Sequence, residues 1–378
     1  MMGRALAGRA LALAAMQKAT LVTPPVGSLD LTHAATTVLP EHIRQAAKDA
    51  LDRGETHYTS RPGVPELRRA IAERSTADGF PATADTTVVT NGGAEAIYIA
   101  LQAVLSAGST AIVVDPVSPH IIEMITFIGA TIERIFPSAE SRFVPSSAEL
   151  DLSNANALVI SSPSLISGIE IPTPDLERLI GAAVARGMDV ILDRSGAPCF
   201  YQPHASTFDP ALGAQVITIG SFSAGYGLHG WRVGSFTAPA DRVGKLRGLK
   251  QAMSICTTAV SQFAALAALE GPTEWLSARR ADFLSRRSMV VEQLHSSPFS
   301  VFSSDVYPSL LIDVRGCGSS DREFAVLMAR EHGIYVEPGS RFGNSTIGFV
   351  RIDLGVEESV LRSGVQRLAE VRCGDAHG

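Results

Sequence analysis

Serine, glycine and arginine gather in Val216–Gly234, where a β-branched strand breaks into small residues and runs through Gly225 and Gly227 to Arg232. That transition exposes the hydroxyls of Ser221 and Ser223, free backbone N–H groups and one guanidinium together, which suits an anion. Gly92-Gly93-Ala94 stands where the strand TTVVTN hands over to a helix, so unpaired N–H groups and the positive end of the helix dipole face outward. A hydrogen bond to a charged group contributes roughly 1.5–3 kcal/mol, and several converging on one phosphate would hold it firmly. Asp193 ends the strand DVILD, as a ligand-facing carboxylate or as a turn cap. Arg351 lies between apolar neighbours in FVRID, where an unpaired charge is costly, so its partner is either a carboxylate ligand or an internal ion pair. His33, His120 and His229 are candidate bases, since an unperturbed imidazole pKa of about 6.5 suits proton transfer. Cys199 and Tyr226 are weaker candidates whose default is packing.

These residues sit on a regular scaffold. Pro40–Arg53 and Val64–Glu73 have apolar residues at helical spacing, joined by a Gly/Pro loop that carries Tyr58. From Thr86 onward, short apolar runs alternate with helices. The predicted strands are Thr86–Asn91, Thr110–Asp115, Thr131–Phe136, Ala157–Ser162, Asp189–Asp193 and Val216–Ser221. The intervening helices are Ala94–Leu105, Ile121–Ile128 and Pro174–Arg186. This pattern predicts a three-layer α/β/α domain with a mostly parallel sheet covered on both faces. Ligands of such sheets sit at the carboxyl ends of the strands. Two helical stretches and a long one, Glu274–His295, lead to a smaller α/β pattern: strands Ser309–Val314, Ile334–Glu337 and Phe349–Leu354, with helices Arg322–His332 and Glu357–Val371. The expected organisation is an N-terminal arm (1–40) packing with the small domain, a large domain (41–275) and a small C-terminal domain (276–378).

The wording closely resembles the class I/II aminotransferases, the fold-type-I enzymes that use pyridoxal phosphate. Their cofactor-lysine segment reads roughly S-x-S-K-x-x-G-L-x-G-x-R-x-G, which Ser221, Ser223, Gly227, Leu228, Gly230, Arg232 and Gly234 fit. GETHYTSRPGVPELR matches a second family segment, and the resemblance runs from about Leu29 to Val371. It implies that Gly92, Gly93, Ala94, Ser221, Ser223 and Arg232 hold the cofactor phosphate and that Asp193 bonds the pyridine nitrogen. It further implies that Arg351 forks a substrate carboxylate and that Tyr58 reaches across a homodimer interface to the phosphate. The lysine position, however, is Ala224. The asparagine that bonds the ring hydroxyl falls on Leu165, the tyrosine that shares it on Gly196, and the stacking aromatic on Ser118. In the arm, the family glycine is replaced around Ala34. Lysine both holds the cofactor covalently and moves the α-proton in these enzymes, and alanine can do neither. The other lysines, Lys18, Lys48, Lys245 and Lys250, lie outside the site segments.

With 46% hydrophobic and 19% charged residues and a net charge of −6, the chain reads as a soluble globular protein without nucleic acid or an anionic membrane as partner. No stretch reaches the roughly 20 apolar residues of a membrane span. The apolar run Ala10–Met16 is short for a signal peptide and suits a docking arm. Cys199, Cys256, Cys317 and Cys373 have no metal-site spacing, so a reducing, cytoplasmic setting without metal is expected. The expected function is a lysine-less aminotransferase-like enzyme, not an ordinary transaminase. It would act on an amino-acid-like or other carboxylate substrate, with pyridoxal or pyridoxamine phosphate held non-covalently or absent. The alternatives are a non-catalytic binding partner and an aminotransferase carrying a lysine-to-alanine change.

Overall fold

The computed structural model describes residues 26–35, 38–146, 148, 154–201 and 207–372. The predicted segment Ala10–Met16 and Cys373 lie outside these residues.

A seven-stranded sheet forms the centre of the molecule. Its strands are β2 (Thr87–Thr90), β3 (Thr110–Val114), β4 (Thr131–Ile135), β5 (Ala157–Ser161), β6 (Asp189–Asp193), β7 (Val216–Ser221) and β8 (Gly234–Thr237), in the order β2-β8-β7-β6-β5-β3-β4. All pairings are parallel except those of β8, which runs antiparallel to both β2 and β7. β8 is the strand that the sequence pattern does not announce: four residues beginning with glycine are too short for an alternation signal.

Both faces of the sheet are covered because its strands are apolar on both sides. Ile217, Ile219 and Phe236 pack against α3 (Gly93–Val104) and α4 (Pro119–Ile128). Val190, Leu192 and Val216 pack against α5 (Thr173–Ala185) and the aromatic pair Phe80–Phe208, the latter beside the short α6 (Pro210–Gly213). α1 (Glu41–Asp52) and α2 (Pro65–Ala77) share a further apolar cluster with a later helix, Ala259–Glu270. α7 (Val243–Ser254) precedes that helix, which is α8, and α9 (Glu274–Leu294) follows it.

The second sheet, β12-β13-β10-β9, is antiparallel: β9 (Ser300–Val301), β10 (Ser309–Asp313), β12 (Glu337–Pro338) and β13 (Phe349–Asp353). α9, α10 (Asp321–Glu331) and α11 (Glu358–Ala369) enclose its core. The expected strand Ile334–Glu337 is two strands. β11 (Ile334–Tyr335) pairs in parallel with β1 (Leu29–Asp30), while β12 turns into the other sheet. Leu31, just beyond β1, is fully buried in the same core.

Cys199 and Cys256 are free thiols, but Cys317 is disulfide-bonded, which removes the cysteine argument for a reducing setting. Among the described residues no helix is long and apolar enough to cross a membrane, and no group of His, Cys, Asp or Glu is placed to hold a metal ion.

Candidate functional site

The strand ends bring the anion-binding residues together. Gly92 has a left-handed φ of +83° and caps α3, so Gly93 and Ala94 open the helix with their N–H groups unpaired by its ladder. Thr90 of β2 pairs with Gly234 of β8, and a side chain on Gly234 would run into the backbone of Gly92 and Gly93. Just before β8, Arg232 adopts φ +54°, which lays its guanidinium against Gly92; its Nη1 donates to the His229 carbonyl at 3.1 Å. Ser221, at the end of β7, faces Gly93, with its Cβ 3.2 Å from where a Cβ on Gly93 would stand. The Ser223 N–H donates to Ser221 Oγ at 3.2 Å, which orients that hydroxyl. Ser195 also faces Gly93, a neighbour that the sequence reading misses.

The turn before α3 is braced from behind. Glu95 Oε2 accepts the Asn91 N–H at 2.6 Å and lies 3.6 Å from Lys250 Nζ, whose side chain is only 1% exposed. Lys250 also donates to Ser254 at 2.6 Å, and burial lowers its pKa against the pull of Glu95. Removing one partner of a buried pair leaves the other charge uncompensated. Lys250→Met is therefore expected to cost about 3 kcal/mol in chemical denaturation; wild-type stability in that variant would show the brace to be idle.

Beside this cup, Asp193 Oδ1 accepts the Ser195 N–H at 2.9 Å. Burial raises the Asp193 pKa, opposed by Ser195 and by the charge of His120. Ser118 does not act as a ring platform: its hydroxyl lies 2.6 Å from His120 Nδ1 and holds that imidazole. The other nitrogen, Nε2, is buried with no partner among the described residues. Burial lowers the His120 pKa, against Asp193 and Glu123, which disfavours the charged ring. His229 is lowered by partial burial and by Arg279, despite lying on the outer side of its loop. His33 is turned to solvent, with an 82% exposed side chain 3.1 Å from Asp30. The structure therefore groups His120 with Asp193 and leaves His33 outside.

Three further candidates have distinct surroundings. At Gly196 a side chain would meet the carbonyl oxygen of Pro163. Leu165 packs against the apolar core that contains Cys199, Phe283 and Tyr307. Arg351 makes the internal ion pair that was one of its two alternatives: it pairs with Glu337, its cross-strand neighbour, lies 3.6 Å from Asp353, and donates to Ser309 Oγ at 3.0 and 2.7 Å. Glu337 also takes Arg341 at 2.7 Å, so two arginines meet two carboxylates and the cluster is neutral.

Ala224 is buried in that same core, and its carbonyl accepts Arg279 Nη2 at 3.1 Å. Gly225 lies against Pro198. Tyr58 is 69% exposed and edges onto His57 at 5.4 Å. With Cys256 and Thr257 it lines an open cleft of about 590 Å³.

Near the strand ends Arg194 pairs with Asp78 at 3.0 Å. Burial pushes the Glu170 carboxyl up to about 7, Arg194 lowering it while Asp305 and Asp78 raise it. A carboxylate raised on folding binds more protons in the native state, so its contribution is fullest below its ordinary pKa and is lost as pH rises through about 7. The melting temperature is expected to fall between pH 5 and 8, with a shallower fall in Glu170→Gln; identical slopes would remove Glu170 as the cause.

A family model described as aminotransferase class I and II matches residues 26–368. The arginine–pyruvate transaminase AruH of Pseudomonas aeruginosa is 30% identical over 337 residues, covering 87% of this chain and 86% of that one. The aspartate/prephenate aminotransferase of Thermus thermophilus is 28% identical over 341 residues, covering 88% and 87%. Among solved structures, the aspartate aminotransferase of Thermus thermophilus with maleate superposes with a TM-score of 0.85 at 25% identity, covering 97% of this chain and 96% of that one. The aromatic aminotransferase of Pyrococcus horikoshii gives 0.85 at 26%, covering 94% and 97%.

Proposed function

This chain belongs to the class I and II aminotransferases, and from that premise we propose that it is a lysine-less member which holds a pyridoxal-type phosphate non-covalently and acts on an amino-acid-like carboxylate substrate by something other than ordinary transamination. The observation that carries the reading is the clasp of Arg232 on Gly92, complete beside an Ala224 that offers no amine.

The residues present fit one end of such a group and not its covalent attachment. Gly92, Gly93, Ala94, Ser221, Ser223 and Arg232 would hold the phosphate, and Asp193 would hold a protonated ring nitrogen. Ala224 supplies no amine, and nothing at Gly196 or Leu165 reaches a ring hydroxyl. When bound, the group supplies an electron-withdrawing pyridine. The chain supplies the rest. Ser118 fixes the His120 ring and leaves Nε2 as proton acceptor, while Asp193 favours the protonated imidazole that results. The reading includes a homodimer, with Tyr58 of one copy serving the cup of the other. It also keeps the division into arm (1–40), large domain (41–275) and small domain (276–378).

Calorimetric titration with pyridoxamine phosphate tests the cup. Binding is expected, with a loss of about 30–100-fold in Arg232→Ala, since one charge-assisted fork is removed; no binding to the wild type would sink the reading. Exchange of the α-proton of alanine in deuterated water, in the presence of pyridoxal phosphate, separates an enzyme from a binding protein. His120→Ala is expected to reduce the protein-dependent rate by about 10²–10⁴. The neutralised Arg351 cluster favours the second reading, a binding protein without turnover, which protein-independent exchange would establish.

A further inference from the structure

An arginine paired with Glu337 and close to Asp353 must give up those partners to meet a substrate carboxylate, and another cation is not engaged in that way. α9 passes beside Ala224 and presents Arg279 there, with Arg280 next along the helix. Arg279 donates Nη2 to the Ala224 carbonyl and lies 5.1 Å from the Phe283 ring centroid, and Phe283 in turn stacks on Tyr307 at 4.3 Å. These contacts fix the guanidinium without neutralising it. Its Nε is buried with no partner, as is that of Arg280. Among the described residues neither arginine has a carboxylate within ion-pairing distance. The charges of both arginines act on Cys199 and Tyr307. A partly buried guanidinium with hydrogen-bonding capacity unspent is costly until an anion arrives.

We propose that Arg279, supported by Arg280, is the anchor for the ligand's carboxylate, displaced from Arg351 to the backbone at Ala224. This rests on the reading of the cup as a phosphate site. The cup and Arg279 then form two separate anion sites linked along the chain at Ser223 and Ala224, the first for the phosphate and the second for the carboxylate. A guanidinium tethered at a backbone carbonyl keeps the remaining N–H groups of its fork for a planar oxyanion. An arginine here also makes a bound amino acid's carboxylate, not an enzyme amine, the group nearest to Ala224.

The test compares two stable probes that share phosphate and ring, phosphopyridoxyl-alanine, which carries the carboxylate, and pyridoxamine phosphate, which lacks it. Calorimetry on the full chain is expected to show the alanine adduct bound about 10–100-fold more tightly. Arg279→Gln keeps a donor for Ala224 but no charge. It should erase that preference and leave pyridoxamine phosphate within about twofold. Arg279→Met should do the same, and Arg279→Lys should restore part of it. Arg351→Lys, which preserves the pairing with Glu337, should leave the preference intact. Equal affinity of the two probes for the wild type, or a preference lost in Arg351→Lys and kept in Arg279→Gln, overturns the proposal and leaves the cup standing. Failure of both probes to bind overturns the cup and this proposal together.

Discussion

Gly196→Tyr is expected to destabilise the protein by about 3 kcal/mol or more, and not to return a partner for a ring hydroxyl. The backbone of Gly196 is an ordinary right-handed one, φ −79° and ψ −15°, which any residue adopts. The obstacle is steric: a Cβ would be driven into the carbonyl oxygen of Pro163, and the next turn is pinned by Pro198 against Gly225. Backbone does not yield as the end of a side chain does, so the two loops would have to part. Urea denaturation reads the cost directly. A variant with wild-type stability would show that the 162–168 and 195–199 loops have room for the family's tyrosine.

Ala224→Lys is the complementary experiment. Amino transfer from alanine to a keto acid, with pyridoxal phosphate supplied, is expected to remain at least about a thousandfold below an ordinary transaminase. The added amine would restore one component among several. It would enter a region that Arg279 and Arg280 already make positive, which lowers its affinity for a proton. The ring-hydroxyl partners would still be absent, and Arg351 would still be paired with Glu337. Full transaminase turnover in this variant would show instead that Ala224 alone separates the chain from an ordinary transaminase, as an altered lysine would.

The order of strands and helices was legible because each depends on its own stretch of residues. Short apolar runs such as ALVIS and DVILD need no distant information to be read as buried strands. That Gly92, Gly93, Ser221 and Arg232 come together was legible for a similar reason, since the Gly92-Gly93 pair and the Ser221–Arg232 spacing are local. What escaped depends on partners far along the chain. The pairing of Arg351 with Glu337 depends on the β12–β13 register, which sets the two opposite each other. The closure at Gly196 is set by Pro163, in another loop. Lys250 and Arg279 lie on helices whose polar residues suggest a solvated face, and only the packing shows one of them buried and the other turned onto Ala224. Ser195 stands inside a motif, between Asp193 and Gly196, but its approach to Gly93 depends on another loop.

β8 has a consequence for how such a chain can change over generations. Because it is inserted between β2 and β7, the residues that carry Gly92 and those that carry Arg232 are rungs of one ladder, though they are far apart in sequence. The clasp therefore stands beside the ladder at one edge of the seven-stranded sheet, where β2 is the outermost strand and β8 its neighbour. Backbone amides of β8, paired on both sides with β2 and β7, should consequently exchange with solvent more slowly than those of β2. The loops at Ser195–Cys199 and Phe222–Leu228 lie outside that ladder and are held instead by contacts between loops, Gly196 against Pro163 and Gly225 against Pro198. A substitution in those loops leaves intact the β2–β8 pairing beside which Gly92 and Arg232 meet.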